Sequence, residues 1–269
     1  MSPTMSPTMS PLPTIFVSHG SPMLALQDSP ARRFLQGLGL SLPRPEAIVL
    51  VSAHWETAGG PAVSLAAQPA TIHDFGGFPQ ALYDISYRAP GAPELAEHAA
   101  SLFEAAGIAV ERSAQRGLDH GAWVPLSLMY PDADVPVMQI SLVRGAGPAA
   151  HAKLGQALAQ LHHEGILVIG SGSLTHNLHE FRGQPVDAPA PHWVRAFESW
   201  MRERLESNDS AALLDYRTRA PSARQNHPSE EHLLPLFVAM GAAGAGAKAQ
   251  LLHSSIEHGV LAMDAYAFD

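Results

Sequence analysis

The sequence predicts an α/β fold: a single domain with a central mixed, largely parallel sheet flanked by helices. Short aliphatic or β-branched runs alternate with longer amphipathic ones, the pattern of βα units wrapped around a sheet. A length of 269 residues suits one continuous core in this class. Hydrophobic residues make up 46% of the chain and charged residues 15%, so there are apolar side chains enough to fill that core.

The opening residues 1–12 repeat Met-Ser-Pro-Thr and carry neither a cation nor an apolar run. They read as a disordered low-complexity tail, not a signal peptide, and leave 13–269 as the folded domain. Strands are expected over 14–18, 47–52, 135–143, 166–169 and 249–254, each rich in Val, Ile or Leu and bounded by Gly, Pro or polar residues. Helices are expected over 93–106, 122–129, 148–163, 190–206 and 228–242. Several open with proline in the first turn, where its missing N–H costs nothing, and close at glycine. The Pro- and Gly-rich segment 75–93 fits neither period and is expected to be an ordered surface loop of the kind that carries substrate contacts.

Composition excludes several chemistries. With no cysteine there is no disulfide, thiolate ligand, iron–sulfur cluster or cysteine nucleophile, so any metal must sit on nitrogen and oxygen. A net charge of −9, with 16 scattered Lys and Arg, argues against nucleic acid as a partner. The longest apolar stretch, 233–247, is broken by Pro235 and three glycines and falls short of the ~20 residues of a membrane span. No membrane partner and a cytoplasmic location are therefore expected.

The histidines carry the functional reading through their positions. One predicted strand ends at His19, a second at His54, and a third leads through Gly170-Ser171-Gly172-Ser173 to His176. Ligands of open α/β sheets bind in the crevice outside the carboxyl ends of the strands, so three imidazoles from distant parts of the chain can converge there. His120 lies between glycines at a helix entrance, and His227 precedes Pro228 at another. Glu231 and His232 fall on the first turns of that second helix, placed to orient a ligand. A lone histidine after a strand is more often a hydrogen-bonded loop or core residue than a ligand; five at element ends make the joint case for a metal. His98, His151, His162, His163 and His179 read as surface residues, and His73 as either a substrate contact or a loop anchor.

Other motifs fail on spacing. Gly170-Ser171-Gly172-Ser173 is neither a nucleophile elbow nor a dinucleotide fingerprint and gives at most a weak phosphate signal. His227 and His232 are five apart, where two zinc ligands on one helical face need a spacing of four.

The segments Ser18-His19-Gly20-Ser21-Pro22, Ser52-Ala53-His54-Trp55, Thr71-Ile72-His73-Asp74-Phe75, Gly117-Leu118-Asp119-His120-Gly121, Ser173-Leu174-Thr175-His176-Asn177 and Asn226-His227-Pro228 resemble, in order, the DOPA-dioxygenase branch of the class III extradiol ring-cleavage dioxygenases. The resemblance runs from about Thr14 to the C-terminus, so it covers all but the tail. It implies a catalytic domain with a mixed sheet, often assembled into homo-oligomers. It also implies one divalent metal on His19, His54 and His227, with His227 where related enzymes carry a glutamate. An all-histidine set suits Fe(II) for dioxygenase activity and Zn(II) equally. His176 takes the place of the acid–base residue and His120 lines the oxygen and substrate side, while His73, Phe75 and Ser21 are the implied substrate contacts. Gly76 and Arg88 depart from the family pattern in the substrate loop.

The implied reaction opens a catechol ring with both atoms of O₂. His176, with an ordinary pKa near ~6.5, takes the catechol proton and later returns one. The alternative is a redox-inert zinc enzyme doing Lewis-acid chemistry or hydrolysis on the same histidines.

Overall fold

Four parallel strands form the spine of the fold in the computed structural model, which describes residues 12–269. They are β1 (Thr14–Ser18), β2 (Ala47–Thr57), β5 (Val137–Val143) and β6 (Ile166–Gly172), lying in the order β5-β2-β6-β1. Short β3 (Ala62–Ser64) and β4 (Glu111–Ser113) extend one edge, β3 running antiparallel to β5. The other edge is closed by antiparallel β10 (Ala265–Phe268) and then β7 (Ala249–His253), giving an 8-stranded mixed sheet. A separate two-stranded ribbon pairs β8 (Ile256–Glu257) with β9 (Leu261–Ala262). The predicted fold class holds.

The inner strands are uninterrupted aliphatic runs because both faces of the sheet are covered. Phe16, Val49, Val51 and Val168 point into one buried cluster with Phe103, Phe197 and Phe237. Their neighbours Ile15, Val17, Ile48, Leu50, Leu167 and Ile169 point into the other, around Trp123. This is the two-residue alternation of a strand applied to a sheet with no wet face. No helix of the described residues is long and apolar enough to cross a membrane.

Several boundaries differ from expectation for physical reasons. Strand β2 runs on to Thr57 through an irregularity in which the pairing jumps from Val51↔Ile140 to Glu56↔Leu142, and His54 lies inside that bulge. The helix expected over 148–163 stops at Ala157 and is followed by a 3-10 turn, Leu161–Glu164, closed by Gly165 in a left-handed conformation. The helix expected from 228 begins only at Leu234 (Leu234–Ala242), with an irregular turn before it. The amphipathic helix Pro30–Ser41, capped by Ser29, is missing from the expected set. His151 is buried, not exposed: its Nδ1 lies 2.7 Å from the Gly147 carbonyl oxygen, and its Nε2 accepts the Val143 N–H. Residues 1–11 of the expected tail lie outside the described residues; Leu12, its last residue, is buried, and its N–H donates to the His162 carbonyl.

One packing feature positions the site. A Cβ on Gly170 would collide with the Pro235 carbonyl oxygen, and one on Gly172 with that of His232. Bare backbone on β6 thus lets the turn at 232–235 lie directly on the strand, with Ser173 N–H donating to His232 O at 2.8 Å. Gly172→Ala is predicted to push this turn away and destabilise the protein by about 1–3 kcal/mol. Urea denaturation of the variant would measure it, and an unchanged midpoint would refute the close-packing role.

Candidate metal centre

The carboxyl ends of β1, β2 and β6 bring histidines together as their order requires. His19 follows β1 directly and is buried beneath the site. Its Nδ1 lies 3.0 Å from Ser171 Oγ. That hydroxyl donates to the Gly121 carbonyl, so it accepts from His19 Nδ1–H and leaves the lone pair of Nε2 facing inward. His54 Nε2 lies 3.1 Å from this nitrogen. The bulge in β2 aims His54 at the crevice, and Gly121 permits the approach, since a Cβ there would strike Ser52 Oγ and crowd the His54 ring.

His120 opens the helix His120–Met129, its ring centre 3.9 Å from that of His54. Asp74 Oδ1 accepts both the His120 backbone N–H at 2.9 Å and Nδ1–H at 3.0 Å, which fixes the ring and turns Nε2 towards the other histidines. Donor atoms of His19, His54 and His120 all lie within 4.8 Å of one another. A second group, His176, Glu231 and His232, meets the same limit. Its rings stack in parallel at 3.4 Å, and His232 stands 5.0 Å from His54 and 5.6 Å from His19 between ring centres. Neutral nitrogen donors with fixed tautomers and a carboxylate behind two of them fit a divalent metal of the iron–zinc type.

The cluster opens into a cavity of about 570 Å³ lined by His54, His120, His176 and His232 and walled by Phe75, Phe78 and Leu261 among others. A smaller polar cleft, with Arg116, Arg144, Glu56 and Glu231, lies behind it. His54 and His232 line both spaces and form the partition between them.

Over residues 13–268 the chain matches the family described as the catalytic LigB subunit of aromatic ring-opening dioxygenase. The chain belongs to this family. It is 46% identical over 261 residues to the 4,5-DOPA dioxygenase extradiol of Beta vulgaris, covering 95% of this chain and 96% of that one. The protein of the same description from Escherichia coli K12 is 40% identical over 255 residues, covering 94% and 93%. A crystal structure of an uncharacterized protein from Escherichia coli K12 superposes with a TM-score of 0.80 at 34% identity, covering 96% of this chain and all of that one. The chain is thus a metal-dependent extradiol ring-opening dioxygenase, which decides against redox-inert hydrolysis.

The dioxygenase gathers four of the five histidines singled out from the sequence: His19, His54, His120 and His176. His227 is not brought into either group. Its ring is buried between Phe197 and Tyr216, with Nε2 2.9 Å from the Leu174 carbonyl oxygen, and it belongs to neither donor group. Pro228 does not start a helix behind it; the chain turns for several residues more, and His232 arrives at the cluster instead. The spacing of five is irrelevant because the two histidines share no helix. The signal that pointed to His232 was the Gly-x-Gly on β6, which seats its backbone. Ser21 and Phe75 line the cavity. His73 does not: its Nε2 lies 3.1 Å from the Ile85 carbonyl oxygen and it lines a separate surface cleft, so it anchors the loop.

Burial sets the electrostatics of the dioxygenase site. It pushes His19 and His232 well below the ordinary imidazole value, with neighbouring imidazoles adding to the effect. Burial and then His120 bring His54 down to about 3. Burial brings His176 to about 4 against the opposing pull of Glu231, and brings His227 to about 4 as well. Asp74 runs the other way: burial raises it, but the hydrogen bonds and charge of His120 outweigh that and hold it at about 2. The imidazoles are therefore neutral and Asp74 ionised at neutral pH.

A pH dependence follows for the metal-free protein. Imidazoles held below their unfolded value of 6.5 let the unfolded chain take up protons first. The stability they permit is present above pH 6.5 and is lost as the pH falls from there towards 4. The urea midpoint is predicted to drop clearly between pH 7.5 and pH 5, about one unit above and about one and a half units below 6.5; a flat profile would contradict neutral burial.

Proposed function

We propose that one divalent metal is held by His19, His54 and His232, and that a catechol bound in the adjoining cavity is opened beside its hydroxyls by O₂. The observation that carries the ligand choice is the partition: His54 and His232 alone among the histidines line both the cavity and the cleft behind it, and buried His19 closes the set from below. His120 lies on the cavity side only, edge-on to Phe75 at 5.7 Å, where an aromatic substrate would pack. Fe(II) is the working ion because zinc has no redox chemistry to offer O₂. The relatives' DOPA is the first catechol to try.

A metal held by these histidines would supply the redox and Lewis-acid chemistry that lets a catechol react with O₂. One ring C–C bond breaks next to a hydroxyl-bearing carbon and both oxygen atoms enter the product, so no external reductant is consumed. His176 is unprotonated at neutral pH and faces the cavity, so it accepts a catechol hydroxyl proton and returns it as the ring opens. Asp74 holds His120 through Nδ1–H, which leaves His120 Nε2 directed at the oxygen side of the substrate. Phe75 and Phe78 pack edge to face at 5.3 Å and give the ring a dry wall.

Anaerobic reconstitution with Fe(II) or Zn(II), followed by a catechol panel and O₂, tests the reaction. Stoichiometric O₂ uptake with a yellow product is expected with iron and not with zinc; no uptake with any catechol would sink the reading. Metal analysis tests the ligands. His232→Ala is predicted to retain less than about a tenth of the metal bound by the wild type, whereas His227→Ala retains it. His176→Ala should keep its metal and lose about 100-fold or more in kcat.

A further inference from the structure

Resting on the reading of His54 as a metal ligand, we propose that Asp119 is a positioning residue: through Ser52 and Arg116 it fixes the backbone of the β2 bulge and so sets where the His54 ring stands.

The bulge lacks the support that a strand normally has. Pairing with β6 ends at Ser52↔Ser171, and pairing with β5 jumps from Val51 to Glu56, so Ala53, His54 and Trp55 have a register partner on neither neighbour. Side chains take over. Asp119 Oδ1 lies 2.6 Å from Ser52 Oγ, and Asp119 Oδ2 accepts from Arg116 Nη2 at 2.5 Å. A carboxylate paired with a guanidinium only accepts, so the Ser52 hydroxyl donates to it and presents a lone pair, which takes the His54 N–H at 3.2 Å. On the other side, the same Arg116 nitrogen donates to the His54 carbonyl oxygen at 3.3 Å. One closed chain of bonds, from His54 through Ser52, Asp119 and Arg116, thus grips His54 at both its N–H and its C=O. The Arg116 guanidinium also lies over the ring of the next residue, Trp55, 5.1 Å from its centre.

Asp119 forgoes its ordinary role to do this. It precedes His120 at the head of the helix His120–Met129, where an aspartate side chain usually accepts a backbone N–H of the first turn. Here the side chain caps nothing, and only the Asp119 carbonyl oxygen takes the Ala122 and Trp123 N–H groups, at 2.9 and 2.8 Å. Asp119 and Ser52 are fully buried, and a buried carboxylate is tolerated only where its partners are good. Gly121 keeps the space for those partners, since a Cβ there would strike Ser52 Oγ and come within 3.2 Å of Asp119 Oδ1. One residue therefore seats the helix of His120 by its backbone and the bulge of His54 by its side chain, and the two rings meet at 3.9 Å.

Co(II) titration of the metal-free full-length protein, followed by visible absorption, tests this. Asp119→Ala and Ser52→Ala are each expected to weaken Co(II) binding about 10–100-fold and to shift the Co(II) bands, which report ligand placement and not fold stability. Wild-type affinity and spectrum in both would overturn the proposal. Asp119→Asn keeps the volume and the acceptor for Ser52 but not the charge that holds Arg116, and it carries the same test if the alanine variant does not fold. Binding about threefold or more weaker is expected of it, and no loss would overturn the proposal. Because the residues act in one chain, the double variant Ser52→Ala with Asp119→Ala is expected to bind within about threefold of the weaker single one; fully multiplicative losses would refute the chain. An equal loss in Arg144→Met, which removes the other arginine of the cleft behind the site, would make the effect one of charge alone and overturn it too. His54→Ala separates the two readings. Loss of Co(II) there with none in Asp119→Ala sinks the positioning role only, whereas retention in His54→Ala would sink the ligand assignment and this proposal with it.

Discussion

Imidazoles crowded at one edge of a sheet repel one another when protonated, and burial that holds His19, His54, His176 and His232 below the ordinary imidazole value answers that constraint. His19, His54, His120, His176 and His232 lie within ring-contact distance of at least one other member, so a proton on any of them would repel its neighbours. Burial removes the water that would stabilise such a proton. Ser171 behind His19, Asp74 behind His120 and Glu231, 2.9 Å from His232 Nδ1, hold the outward nitrogens. What remains is a set of lone pairs aimed at a shared space, which a divalent cation relieves and which nothing else among the described residues does.

The fold makes this crowding affordable through its strand order. Parallel β1, β6 and β2 are adjacent, so residues at their carboxyl ends meet without long loops, and the doubly covered sheet keeps those ends rigid. Two departures from regularity then do the fine placement. The bulge in β2 turns His54 inward, and the side-chain-free backbone of Gly170 and Gly172 admits the 232–235 turn. Both are local losses of sheet regularity at a functional edge, where such losses are concentrated.

How legible this was in the chain depended on the range of the interaction involved. The inner strands were readable because burial on both faces writes itself as unbroken Val, Ile and Leu runs. His19, His54 and His176 were readable because they follow those runs. The three-residue strands β3 and β4 were not, since they are held by neighbours and have too few residues to show a period. The exchange of His227 for His232 shows the same limit more sharply. Proline after His227 was a sound local reason to start a helix, but the backbone of 226–233 answers instead to the turn after β6, where Ser173 N–H donates to the His232 carbonyl and His176 N–H to that of Asn226. The glycines that admit that turn were visible all along; their meaning lay in a partner sixty residues away. His151 failed for a related reason: its polar neighbours in sequence are not its neighbours in space.

The metal site and the substrate wall come from different parts of this architecture. The proposed ligands sit at strand ends and on a turn packed against β6. The wall is assembled from the loop that holds Phe75 and Phe78, the turn with Leu178 and Phe181, and the segment around Val260, none of which belongs to the parallel spine. Of these side chains Phe75 packs against His120, while Phe78, Leu178 and Val260 hold none of the imidazoles by a hydrogen bond. The chemistry is therefore set by the constrained part of the chain and the choice of catechol by the unconstrained part. Relatives that share the histidines need not share a substrate, because nothing in the packing couples the charge of the wall to the geometry of the centre.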